Sequence, residues 1–592
     1  IRETLLQRIP ADELKLVHRR AAEFLAEQEQ DLASRIAFHY DAAGELELAL
    51  PFALIAAEDA RRKTFLDVAK SLYLIAERAA ENQDAGTRLR ISEGLGDVHM
   101  LIGEYDAAEE RFHECKNLAD GKLDEARANH RLAEVARKRG DLEKAIVEFE
   151  AGLRTLGAPV PDMSWKFVVG VFAEVVLQVL TTMFPSVLLH RKGRKPNESE
   201  QLTMSLLSGV THAYWFVRGK RETLWSHFRN LNLAERFHPS AQLATVYSEH
   251  APTMCLLRLF GRAERYAKKS LEIHRDAGNQ WGEGQAQCFL ACAYYAASRF
   301  DEAISTARES VRLLERAGDY WYVHIARFQL AASMLHLGRF RDALEACKIN
   351  HASGLAIGDE QTTGVITDLW AQASGGYVPD DIMQVELARD RIDMQARCHV
   401  LMAKGIIELK ASRIDEALEA LDEGIRVINE AGVSNCYLVP VYYLKTHCLR
   451  RKAEMLDSPL DGAKRIRTLK QAFSSGIRAW FESWLSSNEL PKIYRELALL
   501  RMMDGRARQA RWLLKRSIRS AKRMHSEFEY AESLRILGEL GVKFGWRGAE
   551  DDLEKATALL NRITVESGVE HARAEKESTK ITLSLADRFD TI

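Results

Sequence analysis

The chain has 592 residues, and its 83 Lys and Arg residues nearly balance its 85 Asp and Glu residues, giving a formal net charge of −2. This balance excludes a global electrostatic attraction to nucleic acid or to membranes. Hydrophobic residues make up 46% of the chain and only 12 residues are proline, which favours a soluble globular protein with long uninterrupted helices.

The cysteines indicate a reducing compartment. The chain has eight of them at scattered positions, and several lie on apolar faces of predicted helices: Cys255, Cys288, Cys292 and Cys347. Such usage is typical of proteins that form no disulfide framework. Since no signal peptide is visible either, we expect a cytoplasmic protein.

The predicted elements form a series of similar helix pairs. In each copy, a small residue at a tight turn is followed five positions later by Ala. In chain order the clearest copies are Gly44/Ala49, Gly103/Ala108, Gly140/Ala145, Ser298/Ala303, Gly338/Ala343, Ser412/Ala417 and Gly505/Ala510. Neighbouring turns lie 37 to 40 residues apart (140 − 103 = 37; 338 − 298 = 40). Self-similarity at this period predicts helix-turn-helix repeats in series.

The turn residue should adopt the left-handed, helix-ending conformation that glycine tolerates best. One copy fits this pattern less well. Its turn is placed at Gly261, 37 residues before Ser298 (298 − 261 = 37), but the expected Ala is then Tyr266. We therefore interpret this copy as degenerate.

Small and large residues alternate around the turns. Small residues such as Gly96, Ala133 and Ala291 would let the first helix of a pair approach its neighbour closely, and Phe112 and Phe149 would fill the space beside them. A single pair cannot bury its apolar stripe alone, so neighbouring pairs must stack. The pattern predicts an all-α fold, a solenoid with a concave and a convex face and almost no strand.

The sequence here resembles the tetratricopeptide (TPR) family, whose pattern is a Leu-Gly pair, an aromatic residue, a turn Gly, then Ala and Phe. Two segments carry the resemblance best, through Leu95, Gly96, Gly103, Ala108, Phe112 and Cys115, and through Leu132, Ala133, Gly140, Ala145 and Phe149. The resemblance implies a right-handed α-solenoid that binds proteins or peptides. Because the repeats are longer than the usual ~34 residues, we expect an irregular superhelix.

An apolar insert interrupts the repeats. Residues 165–189 are almost entirely apolar, and the basic segment His190–Lys195 follows them. Length and basic flank are those of a membrane span, but Glu174, Gln178 and Pro185 count against one. Three interpretations stay open: a helix buried in the solenoid or laid across it, a membrane-surface helix anchored by the basic segment (165–195), and a true span.

We favour the buried helix, because an exposed apolar stretch of this size is an aggregation liability. It should span about 165–184 and end or kink at Pro185, with the basic residues Arg191 to Lys195 in an exposed, mobile loop. If it occupies the partner groove, a partner would act by displacing it.

The late repeats contain a longer loop, Leu456–Asp461, and a basic hairpin, 501–523. Five of its cations follow i, i+3/i+4 spacing and can share one helix face: Arg508, Arg511, Lys515, Arg519 and Lys522. The face is interpreted as solvated or as a site for an acidic partner, since no aromatic residues suited to base stacking accompany it. A phosphate-binding surface is the alternative.

The two ends resemble parts of STAND-type (AAA/NACHT-like) bacterial signalling ATPases, which are often fused to Ser/Thr kinase, GAF and histidine kinase modules. Residues 1–60 resemble the start of their helical arm, through Ile9-Pro10, His18, Ala37, His39-Tyr40, Ala43-Gly44 and Ala56-Ala57. The tail 583–592 resembles a helix leading into a GAF-type sensor. We expect a segment of a longer protein, with both ends cut.

These patterns predict five regions. They are an N-terminal helical junction and first repeat (1–60), TPR-like repeats (61–160), the apolar insert with its basic loop (161–200), further irregular repeats (201–562) and a C-terminal linker helix (563–592).

We expect no enzyme activity, cofactor or metal in this segment. The sequence has no Gly-x4-Gly-Lys-Ser/Thr loop and no His-Arg-Asp or Asp-Phe-Gly kinase triplet. Cys288 and Cys292 lie one helical turn apart, but without a second pair they are interpreted as core or groove thiols.

The first helix of each TPR-like unit would line the concave face. In the early repeats this register selects Arg90, Arg127, His130, Glu134, Arg137 and Lys138. In the middle repeats it selects Cys288, Cys292, Tyr295, Phe328, Leu335 and His336. A groove that changes from charged to apolar suits an amphipathic segment. The alternative is that these residues face packed neighbours.

Two functions stay open. The first is a protein-interaction or sensor scaffold that relays partner or effector binding, or contacts with neighbouring domains, to output modules. The second is a nucleic-acid-associated transcriptional regulator that uses the basic hairpin, although the net charge makes nucleic acid the less favoured partner.

Overall fold

The computed structural model describes residues 10–27, 32–63, 65–391, 393–432, 435–456, 461–484 and 486–567. Throughout these ranges the secondary structure is helical, without any strand, so the predicted all-α fold of TPR-like helix pairs is confirmed. The chain divides into two compact units, Ile1–Val160 with Glu198–Val210, and Pro161–Asn197 with Thr211–Ile592. The tail 583–592 and part of the loop 456–461 lie outside the described residues.

The first unit consists of antiparallel helix pairs in sequence order. Its helices are α1 (Ala11–Ala26), α2 (Ala33–Ala43), α3 (Leu46–Arg62), α4 (Leu66–Ala79), α5 (Ala85–Ile102), α6 (Tyr105–Leu118), α7 (Lys122–Lys138) and α8 (Leu142–Thr155).

The second unit begins with the insert, helices α9 (Ser164–Met183) and α10 (Pro185–Leu188). Helix α11 (Glu198–Val217) starts in the first unit and ends in the second. The remaining helices are α12 (Lys220–Ala234), α13 (Ala241–Leu256), α14 (Phe260–Asp276), α15 (Gln280–Ala296), α16 (Phe300–Ala317), α17 (Tyr320–His336), α18 (Phe340–Ile357), α19 (Glu360–Val365), α20 (Thr367–Ala373), α21 (Asp380–Ala388), α22 (Met394–Lys410), α23 (Ile414–Ala431), α24 (Pro440–Met455), α25 (Gly462–Glu482), α26 (Leu490–Met503), α27 (Ala507–Arg523), α28 (Glu527–Lys543) and α29 (Ala549–Ser567).

The predicted turn residues adopt the expected left-handed conformation. Gly338 has φ +80°, and even Ser298, which carries a side chain, has φ +61°. The Ala five positions later is fully or almost fully buried in each of the seven copies: Ala49, Ala108, Ala145, Ala303, Ala343, Ala417 and Ala510. The repeat predicted from sequence is therefore the repeat of the structure.

The turn placed at Gly261 is wrong. Gly261 lies inside α14, and the residue with left-handed backbone is Arg258, with φ +57°. Five positions after Arg258 comes Ala263, which is fully buried. This copy therefore follows the pattern. It was misplaced because an arginine stands where the turn pattern calls for a small residue.

Close approach of neighbouring helices depends on glycines in the first unit, as two of them show. A Cβ added to Gly96 would lie 2.5 Å from the Phe112 ring, and one added to Gly209 would lie 2.2 Å from the Phe149 ring. Both rings are fully buried. The predicted pairing of small residues with aromatic ones is therefore the packing mode of these repeats.

Turns of the second unit meet loops that lie 190 residues later. The Ser298 hydroxyl donates to Asn488 over 2.7 Å, and the Ser486 hydroxyl donates to the Ala296 carbonyl over 3.1 Å. One repeat further on, the Ser526 hydroxyl donates to the carbonyl of His336. The turns after α15 and α17 therefore contact the loops before α26 and α28 of the same unit.

The insert differs from the prediction. Helix α9 ends at Met183, just before Pro185, as expected, but its apolar side chains are largely exposed: Phe172 retains 71% of its accessible surface. The face that packs on α12 is polar, with Glu174 and Gln178 buried. The helix is therefore not a buried core helix.

The basic segment after α9 also differs from the prediction of a mobile loop. The side chains of Arg191, Lys192, Arg194 and Lys195 are exposed, but the backbone of the segment is bonded to the residues that follow α12. The N–H of His190 donates to the Glu235 carbonyl over 2.7 Å, and that of Lys192 to the Arg236 carbonyl over 2.9 Å. The segment is thus tied to the second unit.

Candidate partner-binding cavity

The first helices of successive pairs in the second unit surround an apolar cavity of about 120 Å³. Helices α11, α13, α15, α17, α19 and α22 contribute, as expected for the inner face of a TPR-like array. The lining residues are Thr211, His212, Trp215, Phe216, Glu249, Pro252, Thr253, Phe289, Cys292, Trp321, His324, Ile325, Phe328, Gln329, Gln361, Thr362, Val365, Gln395 and Tyr437.

Aromatic rings form much of the wall. The His212 ring stacks on Phe289 with centroids 5.9 Å apart and meets Trp321 edge-on at 5.7 Å. Trp321 and Trp215 are only half-buried. Aromatic walls with accessible edges can take up an apolar side chain and gain contact area without reordering flexible groups.

Another part of the wall comes from the loop before α24. The Tyr437 ring stacks on Tyr295 with centroids 5.4 Å apart and meets Phe328 edge-on at the same distance. Its hydroxyl accepts a hydrogen bond of 2.9 Å from the Gln329 amide. Burial raises the pKa of Tyr437 well above its usual value, so the phenol stays neutral. This loop fills part of the inner face.

One polar group of the wall lacks a partner. The Gln329 side chain is 2% exposed, and its Oε1 has no hydrogen-bond partner among the described residues. A buried carbonyl oxygen left unpaired costs about 1–3 kcal/mol. Gln329 itself is one of the residues that line the cavity.

The neighbouring histidine is held in place. His324 Nδ1 lies 2.7 Å from Asp359 Oδ2, and its Nε2 lies 2.8 Å from the Ser353 hydroxyl. Burial opposes the charge on Asp359, but hydrogen bonds from His324 and Thr362 lower the pKa of this carboxyl. With both ring nitrogens engaged, His324 shapes the wall.

The predicted groove residues of the middle repeats separate into two groups. Cys292 and Phe328 line the cavity. Cys288, Tyr295, Leu335 and His336 are buried among neighbours.

His336 illustrates this packing, since its ring stacks on Phe300 with centroids 4.7 Å apart. Burial lowers its pKa to about 3. At these four positions the structure therefore favours packed neighbours over an open groove.

The predicted groove residues of the early repeats belong to the first unit and are engaged in ion pairs or packing. Arg90 donates to Glu58 over 2.7 Å, and Arg137 donates to Glu134 over 2.7 Å. Burial opposes the charge on Glu134, but the Arg137 guanidinium lowers the pKa of this carboxyl to about 2.

The remaining members of this early set follow the same trend. Arg127 donates to Asp124 over 2.9 Å and also bonds to Glu198. Burial lowers the pKa of His130 to about 4, and its ring lies 6.0 Å from that of Phe149. Lys138 is half-buried.

Several cavity residues were missed from sequence. Trp215 and Trp321 lie on first helices, so a correct register for α11 and α17 could have selected them. Gln329 and Tyr437 carried no signal. A loop residue such as Tyr437 reaches the inner face only through the tertiary fold.

The basic patch occupies one face of α27. Arg508, Lys515, Arg519 and Lys522 are exposed, and the Arg511 guanidinium lies 4.9 Å from the ring centre of Trp546. The expectation that no aromatic residue accompanies this basic patch is wrong. Trp512 lies on the same helix, is 52% exposed, and has the Arg516 guanidinium 4.1 Å from its ring centre.

The eight cysteines are all unpaired by disulfides. Cys288 lies within 3.8 Å of the Tyr322 carbonyl, and burial raises its pKa well above the usual value. Within the described ranges no group of three or more His, Cys, Asp or Glu side chains is arranged to hold a metal ion.

No family model and no curated protein matches this chain. Solved structures similar to it include a Rap protein complexed with competence and sporulation factor, at 14% identity over 69% of this chain and 99% of that chain, with a TM-score of 0.34. Yeast Tom70 matches at 13% identity, 86% and 99% coverage and a TM-score of 0.34. The APC/C hetero-tetramer Cut9-Hcn1 matches at 13% identity over 94% of this chain and 98% of that chain, with a TM-score of 0.36. Similarity at these values gives no information about the partners of this chain.

Proposed function

We propose that the second unit is a protein-interaction scaffold that captures an apolar anchor of a partner segment in the cavity. The observation that carries the proposal is an aromatic wall with half-buried Trp215 and Trp321 next to the unpaired carbonyl oxygen of Gln329. A peptide supplies both complements, an apolar side chain for the wall and a backbone N–H for the oxygen.

The cavity size limits what enters. A volume of about 120 Å³ accommodates one anchoring side chain and leaves the rest of a bound segment outside. The proposed ligand is therefore a short segment with one apolar anchor.

A charge placed at the cavity tests this proposal. Peptides selected from a displayed random library against the full chain should share an apolar anchor. Ile325→Glu, at a half-buried wall position, should weaken their binding at least ten-fold, because a carboxylate would enter an apolar site. Ile349→Glu, at an exposed position on α18, is the matched control and should leave binding unchanged. Selected peptides that bind the Ile325→Glu protein normally would disprove the assignment.

We further propose that this scaffold is the sensor arm of a cytoplasmic, multidomain signalling ATPase or kinase. The resemblance of residues 1–60 to STAND-type arms supports this context. Partner capture in the second unit would then be relayed to output modules outside this segment. Nucleotide hydrolysis by the intact gene product that changes when a selected peptide binds would support this role, and hydrolysis indifferent to the peptide would count against it.

Helix α27 supports a second candidate, a surface for polyanions including nucleic acid. Arg508, Lys515, Arg519 and Lys522 make no ion pair with the described part of the chain, and Trp512 offers a stacking surface beside them. Binding of single-stranded RNA should then fall steeply with salt, and Lys515→Ala should reduce the salt slope. Binding that is unchanged by Lys515→Ala would exclude this face.

A further inference from the structure

Helix α9 presents a continuous apolar face outward. Residues spaced alternately four and three positions apart form its centre: Trp165, Val169, Phe172, Val176, Val179 and Met183, each at least 41% exposed. Val168 and Leu180 flank this line on either side, so the exposed face covers roughly 120° of the helix at 100° per residue. Between residues 167 and 190 the exposed side chains include no charged group.

The opposite face is held by buried polar contacts. Asn232 Nδ2 donates to Glu174 Oε2 over 2.8 Å, and Arg229 donates to Glu174 Oε1 over 3.0 Å. Gln178 donates to Glu235 over 2.8 Å and accepts from Arg262 over 2.8 Å. These bonds fix the rotation of α9 about its axis, because turning the apolar face inward would leave the carboxylate and amide groups unpaired.

A glycine brings α9 close to α12. A Cβ on Gly170 would lie 2.7 Å from the Trp225 ring, and the rings of Phe167 and Trp225 meet edge-on with centroids 5.5 Å apart. The apolar contact of α9 with its own unit is thus concentrated near its start. The packing of α9 on its unit therefore points its apolar face outward, whereas an amphipathic helix of a soluble protein turns its apolar face toward the core.

We infer that the exposed face of α9 docks on the surface of an anionic lipid bilayer. A 20-residue helix is about 30 Å long and would lie in the membrane plane with its apolar face in the acyl boundary. Arg191, Lys192, Arg194 and Lys195 follow directly, all exposed, and would meet lipid phosphates. The backbone bonds of this segment to Glu235 and Arg236 fix these charges near the C-terminal end of α9.

Surface docking fits better than spanning. Among the described residues one helix, Ser164–Met183, is long and apolar enough to cross a membrane. Crossing would require Glu174 and Gln178 to leave their partners on α12 and α14 and enter hydrocarbon, at a high cost. Docking retains every one of those bonds.

A bilayer also fits better than a second copy of the chain. A two-fold contact would bring two basic segments to this face, and the nearest acid at the other end of α9, Asp162, is already paired with Lys166 over 2.6 Å. The exposed apolar arc is also wider than the seam between two paired helices, which uses only two apolar residues in every seven. An anionic bilayer supplies both an apolar layer and negative charge.

Vesicle flotation of the full chain tests the inference. The protein should float with vesicles of phosphatidylcholine containing phosphatidylserine. Phe172→Glu/Val176→Glu should reduce the bound fraction at least ten-fold, with an unchanged circular dichroism spectrum because both side chains are exposed. Arg191→Glu/Lys192→Glu should weaken binding to the anionic vesicles alone. Val147→Glu, at an exposed valine on α8, is the matched control and should float like the parent chain.

Several results would overturn the inference. They are failure of the parent chain to float with the anionic vesicles, flotation that is insensitive to Phe172→Glu/Val176→Glu, and flotation that is insensitive to the charge reversal. Self-association in light scattering that these α9 variants abolish, without vesicle binding, would assign the face to a second copy instead.

Discussion

Single side chains decide how α9 is presented. In the sequence, Glu174 and Gln178 argue against a membrane span because they interrupt an apolar run. In the structure they are the attachment points, 8% and 3% exposed. Their hydrogen bonds to Asn232, Glu235 and Arg262 direct the apolar side chains outward. The same two residues therefore argue against spanning and for surface exposure.

At the residue scale, we expect two glycines to respond in opposite directions to the same change. Gly96→Ala should destabilise the protein by about 1–3 kcal/mol, because the new methyl overlaps the buried Phe112 ring. Gly261→Ala, in open space within α14, should be neutral or stabilise by up to about 1 kcal/mol. Urea denaturation measures both. A stable Gly96→Ala protein would contradict close helix approach as the packing mode.

At the element scale, the attachment of α9 should depend on pH through Glu235. Burial raises the pKa of Glu235 to about 7, although Tyr247, Arg262 and Lys269 act in the opposite direction. The folded state therefore holds a proton between about pH 4.5 and 7 that the unfolded chain releases. The contribution of this proton to the free energy of unfolding is fully present below this window. It is lost as the pH rises through the window, by up to about 3 kcal/mol.

The variant Glu235→Gln isolates this effect, because its amide stays neutral at all pH values. Between pH 5 and pH 8.5 the free energy of unfolding of the parent chain should fall more than that of the variant. Urea unfolding at the two pH values, with both proteins, measures the difference. Parallel pH profiles would show that Glu235 does not carry the proton.

The helix pairs themselves were predictable at this scale, because their turns follow from local chemistry. A left-handed residue followed five positions later by a buried Ala recurs even where the turn residue is Ser298 or Arg258. The error at Gly261 came from assuming that the turn must be a small residue. Arg258 shows that packing can impose this backbone on a long side chain.

At the scale of the whole molecule, the second unit makes contacts over a constant separation. Gly338 faces Phe528 (528 − 338 = 190), and three hydrogen bonds join residues 190 apart. Such long-range contacts go beyond a linear array in which each repeat touches only its neighbours. They explain why Tyr295 and His336 are buried.

A double-mutant cycle at this closure tests whether it contributes to stability. The rings of Phe340 and Phe528 meet edge-on with centroids 4.9 Å apart. Phe340→Ala and Phe528→Ala should therefore show a coupling free energy of about 0.5–1.5 kcal/mol in urea unfolding. Additive effects of the two changes would mean that the later repeats fold independently of the earlier ones.

The sequence by itself determined the all-α class, the helix pairs and their period, the end of α9 before Pro185, and which residues share a helix face. These follow from backbone conformation and side-chain spacing over a few residues. The cavity was predictable only in part: Cys292 and Phe328 were selected by register, whereas Tyr437 and Gln329 were not.

Only the tertiary structure decided what each helix face meets. Periodicity identifies the two faces of α9, but it does not show that Asn232 and Arg262 form hydrogen bonds to the polar face. Those residues lie more than 50 positions away in the chain. Periodicity likewise cannot show that repeats 190 residues apart contact one another and bury Tyr295 and His336, two of the predicted groove residues. Partners of this kind are set by the accumulated geometry of many helix pairs, which no local pattern records.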